Sequence, residues 1–475
     1  MADASTRTTT LIAAATMGVY VLIMAGATTA IADATAACSG WPTCNGGLLP
    51  GGETDQLIAW SHRVIALIVG GLVLAAGVAG IRSSEDRRVR SALAIALLLY
   101  PVQVALGALT VTQGPSTTLS AIHLAAGVGI FGGFLLSLAW LLEGDDADEP
   151  GEDLDSNPDD PASTPDGATE PVDAVDGEPY EPPTTARGRL IGTVRAYVSL
   201  TKPRLMWLLC LVAAAGMALS AGQDLGFRTV VLTLTGGVLA IGASGTFNHV
   251  LERDVDRRMQ RTADRPLATD QVGVRNAVLF GIVLAIGSVA TFLSINGFAA
   301  VLGAAAIAYY SVVYTLILKP NTVQNTVIGG LAGSFPAAIG AAAATNTVGP
   351  AALLLAAVIF LWTPAHFYNL ALAYKEDYER GGFPMMPVVR GEATTRKHIL
   401  LYLGATLIAA AALAAVSGLG PLYSGTSVAL GTVFLWMVLK LHRNPGERAA
   451  FRAFHASNAY LGALLLAIVV DALAV

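Results

Sequence analysis

Charge is in short supply in this sequence. Asp, Glu, Lys and Arg make up 13% of the 475 residues against 54% hydrophobic ones, a balance that excludes a soluble globular domain of this length. Acidic residues are nearly absent from the centres of the long apolar runs, which argues against a transporter with ion sites at mid-membrane. No sequence-level repeat joins the two ends of the chain. A cleavable leader is not expected either: Met1–Thr10 holds one arginine, and the apolar run behind it is long enough to cross a bilayer. Lys and Arg are missing altogether from residues 143–186, which hold sixteen Asp or Glu among Pro, Gly, Ser and Thr. Such a tract cannot bury enough apolar surface to offset its ordering entropy, so it is expected to be a disordered, solvated spacer. Setting its sixteen acids aside leaves 18 of the 34 against 28 basic residues, so the formal net charge of −6 belongs to the spacer and the remainder is basic by about ten.

What the sequence does have is apolar windows of about 20 residues, the length that crosses roughly 30 Å of hydrocarbon. They fall near 10–32, 57–81, 91–112 and 119–142, then near 205–221, 227–248, 274–295, 298–318, 323–343, 351–373, 398–418, 422–441 and 454–473. A bilayer core offers no water to unpaired backbone groups, so these windows are expected to be helices. The expected fold class is an all-α integral membrane protein with about thirteen transmembrane helices. Its domains are a four-helix bundle over 1–142, an acidic linker over 143–190 and a nine-helix unit over 191–475. Of the 28 basic residues, 26 lie in, or within two residues of, the segments on the same side as Met1, with Arg63 and Arg228 as the exceptions. The positive-inside rule then places the N-terminus in the cytoplasm and the C-terminus outside the cell membrane.

Two of the inner segments carry chemistry. NHVLERDVDRRMQRTADRPL, at 248–267, sets Asn248, Glu252 and Asp256 four residues apart, on one face if the helix continues. Three oxygen side chains suit Mg²⁺, which takes a few carboxylates and completes its shell with water and phosphate oxygens. Arg261 and Arg265 follow, and guanidiniums fork onto phosphate. The bland alternative is a positive-inside loop whose acids happen to balance its arginines. The second segment, WTPAHFYNLALAYKEDYERGGFPMMPVVRG at 362–391, gives His366, Asn369 and Asp377 spacings that permit one face. A third, YTLILKPNTVQNTVIGG at 314–330, offers Lys319. Together they describe a diphosphate site at the inner face. Asn248, Glu252 and Asp256 are its expected Mg²⁺ ligands, and Asp377, Arg261, Arg265, Lys319 and His366 are further catalytic candidates. His366 reads equally well as a satisfied helix-end histidine.

These stretches carry a resemblance. Residues 195–475 resemble the UbiA superfamily of intramembrane prenyltransferases, and within it the haem O synthase (protoheme IX farnesyltransferase) branch. The superfamily's Asn-x-x-x-Asp-x-x-x-Asp motif matches as Asn248, Glu252 and Asp256, with Glu in the middle place. ERDVDRRMQRTADRPL, TKPR at 201–204, WTPAHF at 362–367 and DYERGGFPMMPVV at 377–389 are similar to that branch. The second motif departs from a double-aspartate form and keeps Asp377, which the resemblance implies as a further Mg²⁺ ligand. The resemblance implies an enzyme that moves a farnesyl group from farnesyl diphosphate to a vinyl group of haem B, giving haem O for haem–copper oxidases. It implies Mg²⁺ as cofactor and the bilayer as the medium of the prenyl tail. Nucleic acid is not an expected partner. A UbiA-type enzyme acting on a quinone precursor or an archaeal lipid is the nearest alternative, against which the extended signatures argue.

The first part of the chain has a different constellation. His62 and His123 sit about six and five residues into the second and fourth helices, which start on the same side, so their imidazoles share a depth. Paired histidines of a four-helix bundle suit axial haem ligation, although membrane histidines also serve in packing. Cys38 and Cys44, in the first outer loop, are a disulfide candidate or two free thiols; Cys210 lies alone in a later helix. Residues 11–142 resemble one half of haem A synthase through His62, His123, this cysteine pair and SHR at 61–63. Ala59 stands where that family carries a glutamate. The region is expected to be a haem-binding or haem-delivery module, or half of a dimer, with haem A synthase or haem–copper oxidase assembly proteins as partners.

Overall fold

The computed structural model describes residues 2–38, 40–47, 49–147 and 181–474. Among these residues the chain is helical, and its only strand-like pairing is a bridge between Cys44 and Gly47. Thirteen helices among the described residues are long and apolar enough to cross a membrane. The first four are α1 (Ala2–Ile31), α2 (Thr54–Ser83), α3 (Arg87–Gln113) and α4 (Thr117–Ala147). After the acidic tract comes α5 (Ala186–Leu200), too short and too polar to span, then α6 (Pro203–Ala221), α7 (Phe227–Leu251) and the single turn α8 (Arg253–Asp256). α9 (Val274–Leu293) leads to α10 (Gly297–Ala308), which runs on through a π-helical segment, Tyr309–Leu318, into α11 (Lys319–Asn321). The chain ends with α12 (Asn325–Thr345), α13 (Pro350–Ala373), α14 (Lys375–Arg380), α15 (Met386–Val389), α16 (Glu392–Ser417), α17 (Pro421–Arg443) and α18 (Glu447–Ala474).

Local chemistry sets the ends of these helices. Pro203, Pro350 and Pro421 occupy first turns, where the missing N–H is no loss. Asn296 caps α10 by accepting from Ala299 N at 2.8 Å. Gly418, with φ of 65°, stops α16 in the left-handed conformation. Small residues let the spans approach closely. A Cβ on Gly216 or Gly340 would strike the backbone carbonyl of Ala337 or Ala213, so α6 and α12 touch through their main chains.

The first four helices are not a separate body. One hydrophobic core holds Ile12, Phe131 and Leu135 together with Leu403, Leu407 and Phe434. Tyr20 Oη and Ser427 Oγ share a buried hydrogen bond at 2.6 Å, and Leu135 fills the space over Gly404. At one end of this seam Lys397 Nζ meets Glu143 Oε2 at 2.7 Å and Arg443 donates to Thr10. At the other end Thr28 lies 3.4 Å from Ser424 Oγ. The expected linker lies mostly outside the described residues. At its described margins α4 extends to Ala147, with Glu143 tied to Lys397, and α5 already starts at Ala186 behind the cap of Thr185.

Candidate active site

α7 delivers Asn248 near its end. Glu252 N then bonds Asn248 O at 2.9 Å, and Asp256 N bonds Glu252 O at 2.7 Å. The i to i+4 register therefore survives the helix boundary, and the three side chains stay on one face. All three are buried. Each is met by a cation or donor from another part of the chain. Lys202 Nζ donates to Asn248 Oδ1, and Asn248 Nδ2 donates to Thr315 Oγ1 at 3.1 Å. Lys319 Nζ lies 2.6 Å from Glu252 Oε1, and Arg265 Nη1 lies 2.8 Å from both oxygens of Asp256.

The loop at 377 closes on the same cluster. Asp377 accepts from the backbone N–H groups of Gln260 and Arg261 at 3.1 Å each, and pairs with Arg380. Arg261 stacks over Tyr374 and Tyr378, 5.1 and 5.7 Å from the ring centres, and Lys319 lies 4.3 Å from the Phe383 ring centre. The structure thus gathers Asn248, Glu252, Asp256, Arg261, Arg265, Lys319 and Asp377. Burial lowers the Lys202 ammonium to about 8. Burial alone would raise Glu252, but Lys319 and Lys202 hold it below the usual carboxylate range. For Asp256 burial outweighs Arg265 and the carboxyl is raised. Asp377 is lowered, because the bonds from Arg380, Arg261 N and Gln260 N outweigh its burial.

The π-helical segment matters to this arrangement. Its wider turn sets Tyr310 and Thr315 five residues apart, with Thr315 Oγ1 donating to Tyr310 O at 2.9 Å, and turns both toward α7. Such segments recur at functional sites. Below the charged cluster an apolar cleft opens between α6, α7, α10 and α12. Lys202 and Tyr310 stand at its polar end, and Leu209, Gly237, Ile241, Pro336 and Ile339 line it further down. A Cβ on Gly237 would meet nothing within 4 Å.

Lys202 and Tyr310 are site residues that spacing arguments do not single out. Lys202 lies in the TKPR run, but 46 residues separate it from Asn248 and only the fold joins them. His366 stands apart. It is sandwiched between Trp362 and Phe454, with ring centres at 4.2 and 4.4 Å, and its Nδ1 lies 2.7 Å from Ser457 Oγ. Asn369 is buried and donates to Ala365 O.

The donors at 248, 252 and 256 are all hard oxygens, the type that Mg²⁺ takes. Among the described residues no three His, Cys, Asp or Glu side chains converge on one point, because each carboxylate is turned to its cation.

In the first four helices His62 stands on α2 and His123 on α4. The Nδ1 atom of each is buried without a hydrogen-bond partner. Gln103 Nε2 lies 3.4 Å from His123 Nε2. Gly26 packs against His62 and Gly107 against His123, each leaving room where a Cβ would crowd the ring. Cys38 and Cys44 form a disulfide. Arg63, next to His62, donates to the carbonyls of Gly40, Pro42, Thr43 and Cys38 and so ties down that loop.

The same regions emerge from comparison with known proteins. A family model described as the UbiA prenyltransferase family matches residues 208–462. A model described as a cytochrome oxidase assembly protein matches residues 2–135 and, overlapping, 52–157. A protoheme IX farnesyltransferase of Haloarcula marismortui is 60% identical over 472 residues, covering 99% of this chain and 100% of that protein. One from Halobacterium salinarum is 53% identical across 100% of this chain and 99% of its own length. One from Leifsonia xyli is 41% identical over 284 residues, covering 59% of this chain and 92% of that protein. Among solved structures, a digeranylgeranylglyceryl phosphate synthase is similar in fold, with a TM-score of 0.51 at 15% identity over 59% of this chain and 99% of its own.

Proposed function

The chain belongs to the UbiA prenyltransferase family and, within it, to the protoheme IX farnesyltransferases, and from that premise we propose how its residues carry the reaction. The enzyme takes the farnesyl group of farnesyl diphosphate to a vinyl group of protohaem IX, converting haem B to haem O. The observation that carries the site assignment is an apolar cleft whose polar end, at Lys202 and Tyr310, adjoins three buried oxygen side chains and their cations.

The prenyl tail lies in the cleft and the diphosphate at the cluster. The bond from the allylic carbon to the bridging oxygen breaks, and its electron pair leaves with the diphosphate. Lys202, Lys319 and Arg265 are the cations at hand for that charge, held ready before the reaction starts. The Tyr310 ring faces the Lys202 ammonium, 5.6 Å from its centre, and so helps to hold that cation at the polar end of the cleft. The vinyl group attacks the cation, a carbon–carbon bond forms, and water adds to the electron-poor carbon left behind, losing one proton. The apolar lining keeps water from the cation until the vinyl group has reacted.

Asn248, Glu252, Asp256 and Asp377 would hold Mg²⁺ once phosphate oxygens draw the lysines and arginines away from them. Mg²⁺ supplies Lewis-acid neutralisation of the leaving diphosphate when bound. Arg261, stacked on two tyrosines and donating its N–H to Asp377, positions the loop that closes the cluster. We assign His366 to the contact of α13 with α18, since its aromatic sandwich and Ser457 account for its surroundings.

For the first four helices we propose haem binding by His62 and His123. Support comes from two imidazoles on separate helices with unpartnered buried nitrogens and glycines beside them. Buried Ala59 supplies no acid three residues before His62, which favours binding or delivery over oxidation. Delivery would pass haem O to haem A synthase or to oxidase assembly proteins. The charge bias favours a cytoplasmic cluster and an external C-terminus.

Mass spectrometry of haem extracted from cells expressing the chain tests the whole assignment. A hydroxyethylfarnesyl haem, absent from cells without the chain, is the expected result. Unmodified haem beside a prenylated quinone precursor or lipid would contradict it.

A further inference from the structure

α5 is not a span, and one side of it is covered by nothing among the described residues. Gly188, Gly192, Ala196 and Leu200 recur every four residues and form the covered side. Ala196 and Leu200 are buried with Leu267, Val272 and Ala277, Gly192 O accepts from Gln271 Nε2 at 3.4 Å, and Tyr197 meets Phe280 edge-on at 5.0 Å. α5 therefore lies against the loop between α7 and α9, at the membrane end that carries the charged cluster. On the far side Leu190, Ile191, Val194 and Val198 are 67%, 49%, 54% and 51% exposed. With 3.6 residues per turn those four share one sector, roughly opposite the small-residue stripe. Arg187, Arg189 and Arg195 are exposed along the same helix. Lys202, with φ of 55°, turns the chain from α5 into α6, so α5 is not the extension of a span.

We propose that α5 is an in-plane membrane anchor, its Leu190, Ile191, Val194 and Val198 face set into the head-group boundary of an anionic leaflet and its arginines on lipid phosphates. An exposed aliphatic face on a helix at the membrane boundary has this preference; Arg187, Arg189 and Arg195 are spread around the helix rather than gathered on one polar face, and each arginine near an anionic surface adds to the attraction. The depth is fixed by the covered side, which packs on the inner ends of α7 and α9 through Val250 and Val274. A second copy of the chain could also cover four aliphatic side chains, but it gives no use to three arginines beside them. Two residues past α5 stands Lys202, so the anchor holds the polar end of the cleft at the leaflet in which an anionic amphiphile such as a prenyl diphosphate resides.

The test uses the full-length protein with its free thiol removed by Cys210→Ser and an environment-sensitive fluorophore on Val194→Cys, Ile191→Cys or Thr193→Cys. Each is reconstituted in vesicles of zwitterionic lipid with or without an anionic lipid. In anionic vesicles the probes at 194 and 191 should be blue-shifted and quenched several-fold more by brominated acyl chains than by aqueous iodide, with the order reversed at 193. Charge reversal by Arg187→Glu, Arg189→Glu and Arg195→Glu together should abolish most of the acyl-chain quenching at 194. Iodide quenching at 194 equal to that at 193 would overturn the anchor. Emission at 194 that follows protein density, with cross-linking between copies, would replace the lipid by a second chain. Undiminished acyl quenching after charge reversal would overturn the preference for anionic lipid.

Discussion

Lys319 reaches Glu252 across 67 residues of sequence, Nζ to Oε1 at 2.6 Å, with both side chains buried. A buried pair of this kind is a poor source of net stability, yet losing one partner leaves an uncompensated charge that costs about 3–5 kcal/mol. Lys319→Met should therefore lower both the melting temperature and haem O formation. Adding Glu252→Gln to it should recover most of the melting temperature and none of the activity, measured on the same detergent-purified protein. If activity returned with stability, the pair would be structural and its place in the site would be wrong.

Gly237 offers a test of the cleft. It faces open space in the apolar lining, so a large side chain there fills the volume that a prenyl tail needs. Gly237→Phe should cut turnover of farnesyl diphosphate at least tenfold, roughly the 1.4 kcal/mol of one decade, and spare dimethylallyl diphosphate relative to farnesyl diphosphate. Competition between the two donors reads this ratio directly. An unchanged ratio would remove the tail from this cleft.

The first four helices can be separated from the transfer step by their histidines. His123→Ala should lose or shift the absorption bands of a bis-imidazole haem, while added haem B and farnesyl diphosphate still yield haem O. Deleting these helices is a harsher change. A chain beginning at Arg187 loses Tyr20 from Ser427 and Leu135 from Gly404, so it should melt below the full-length protein. Tyr20→Phe, which removes one hydrogen bond, should cost only about 1 kcal/mol. Equal melting of the truncated and full-length proteins would show that the seam contributes nothing.

The proposed orientation rests on 26 of 28 basic residues lying in, or within two residues of, the segments expected on the side of Met1. A reporter after Val475 should be active outside the cytoplasm and one within 143–186 active inside. Matching results at both places would mean that an odd number of the nine candidate spans between them does not cross.

Much of this was readable from the residues, for definite reasons. A span needs a run of apolar residues, and nothing else in a sequence looks like one, so the thirteen windows coincide with the helices. Asn248, Glu252 and Asp256 were legible because their spacing equals the helical repeat and the backbone bonds carry that repeat past Leu251. Lys202 was not, because its partner is distant in sequence and a lysine ahead of a span looks like an ordinary inner-face anchor. Tyr310 was hidden by its π-helical setting, where the four-residue periodicity that guides such reading does not apply. His366 read equally as a site residue and as a satisfied helix-end histidine, and its stacking on Trp362 and Phe454 was not legible because it is a property of tertiary packing. The seam between α1, α4 and α16, α17 leaves no trace in sequence either, since a span facing lipid and one facing another helix are equally apolar.

The central claim is that a buried, carboxylate-bearing cluster at the end of an apolar cleft drives diphosphate departure. The initial rate of haem O formation by Asp256→Asn protein tests it most directly, with exposed Glu379→Gln as the control. The amide keeps the shape of the side chain and removes the charge that Arg265 and a bound cation require. The account expects a fall of about two orders of magnitude or more at Asp256, the scale of losing one charge-stabilising group, with Glu379→Gln close to the parent. A near-normal rate in folded Asp256→Asn protein would contradict it.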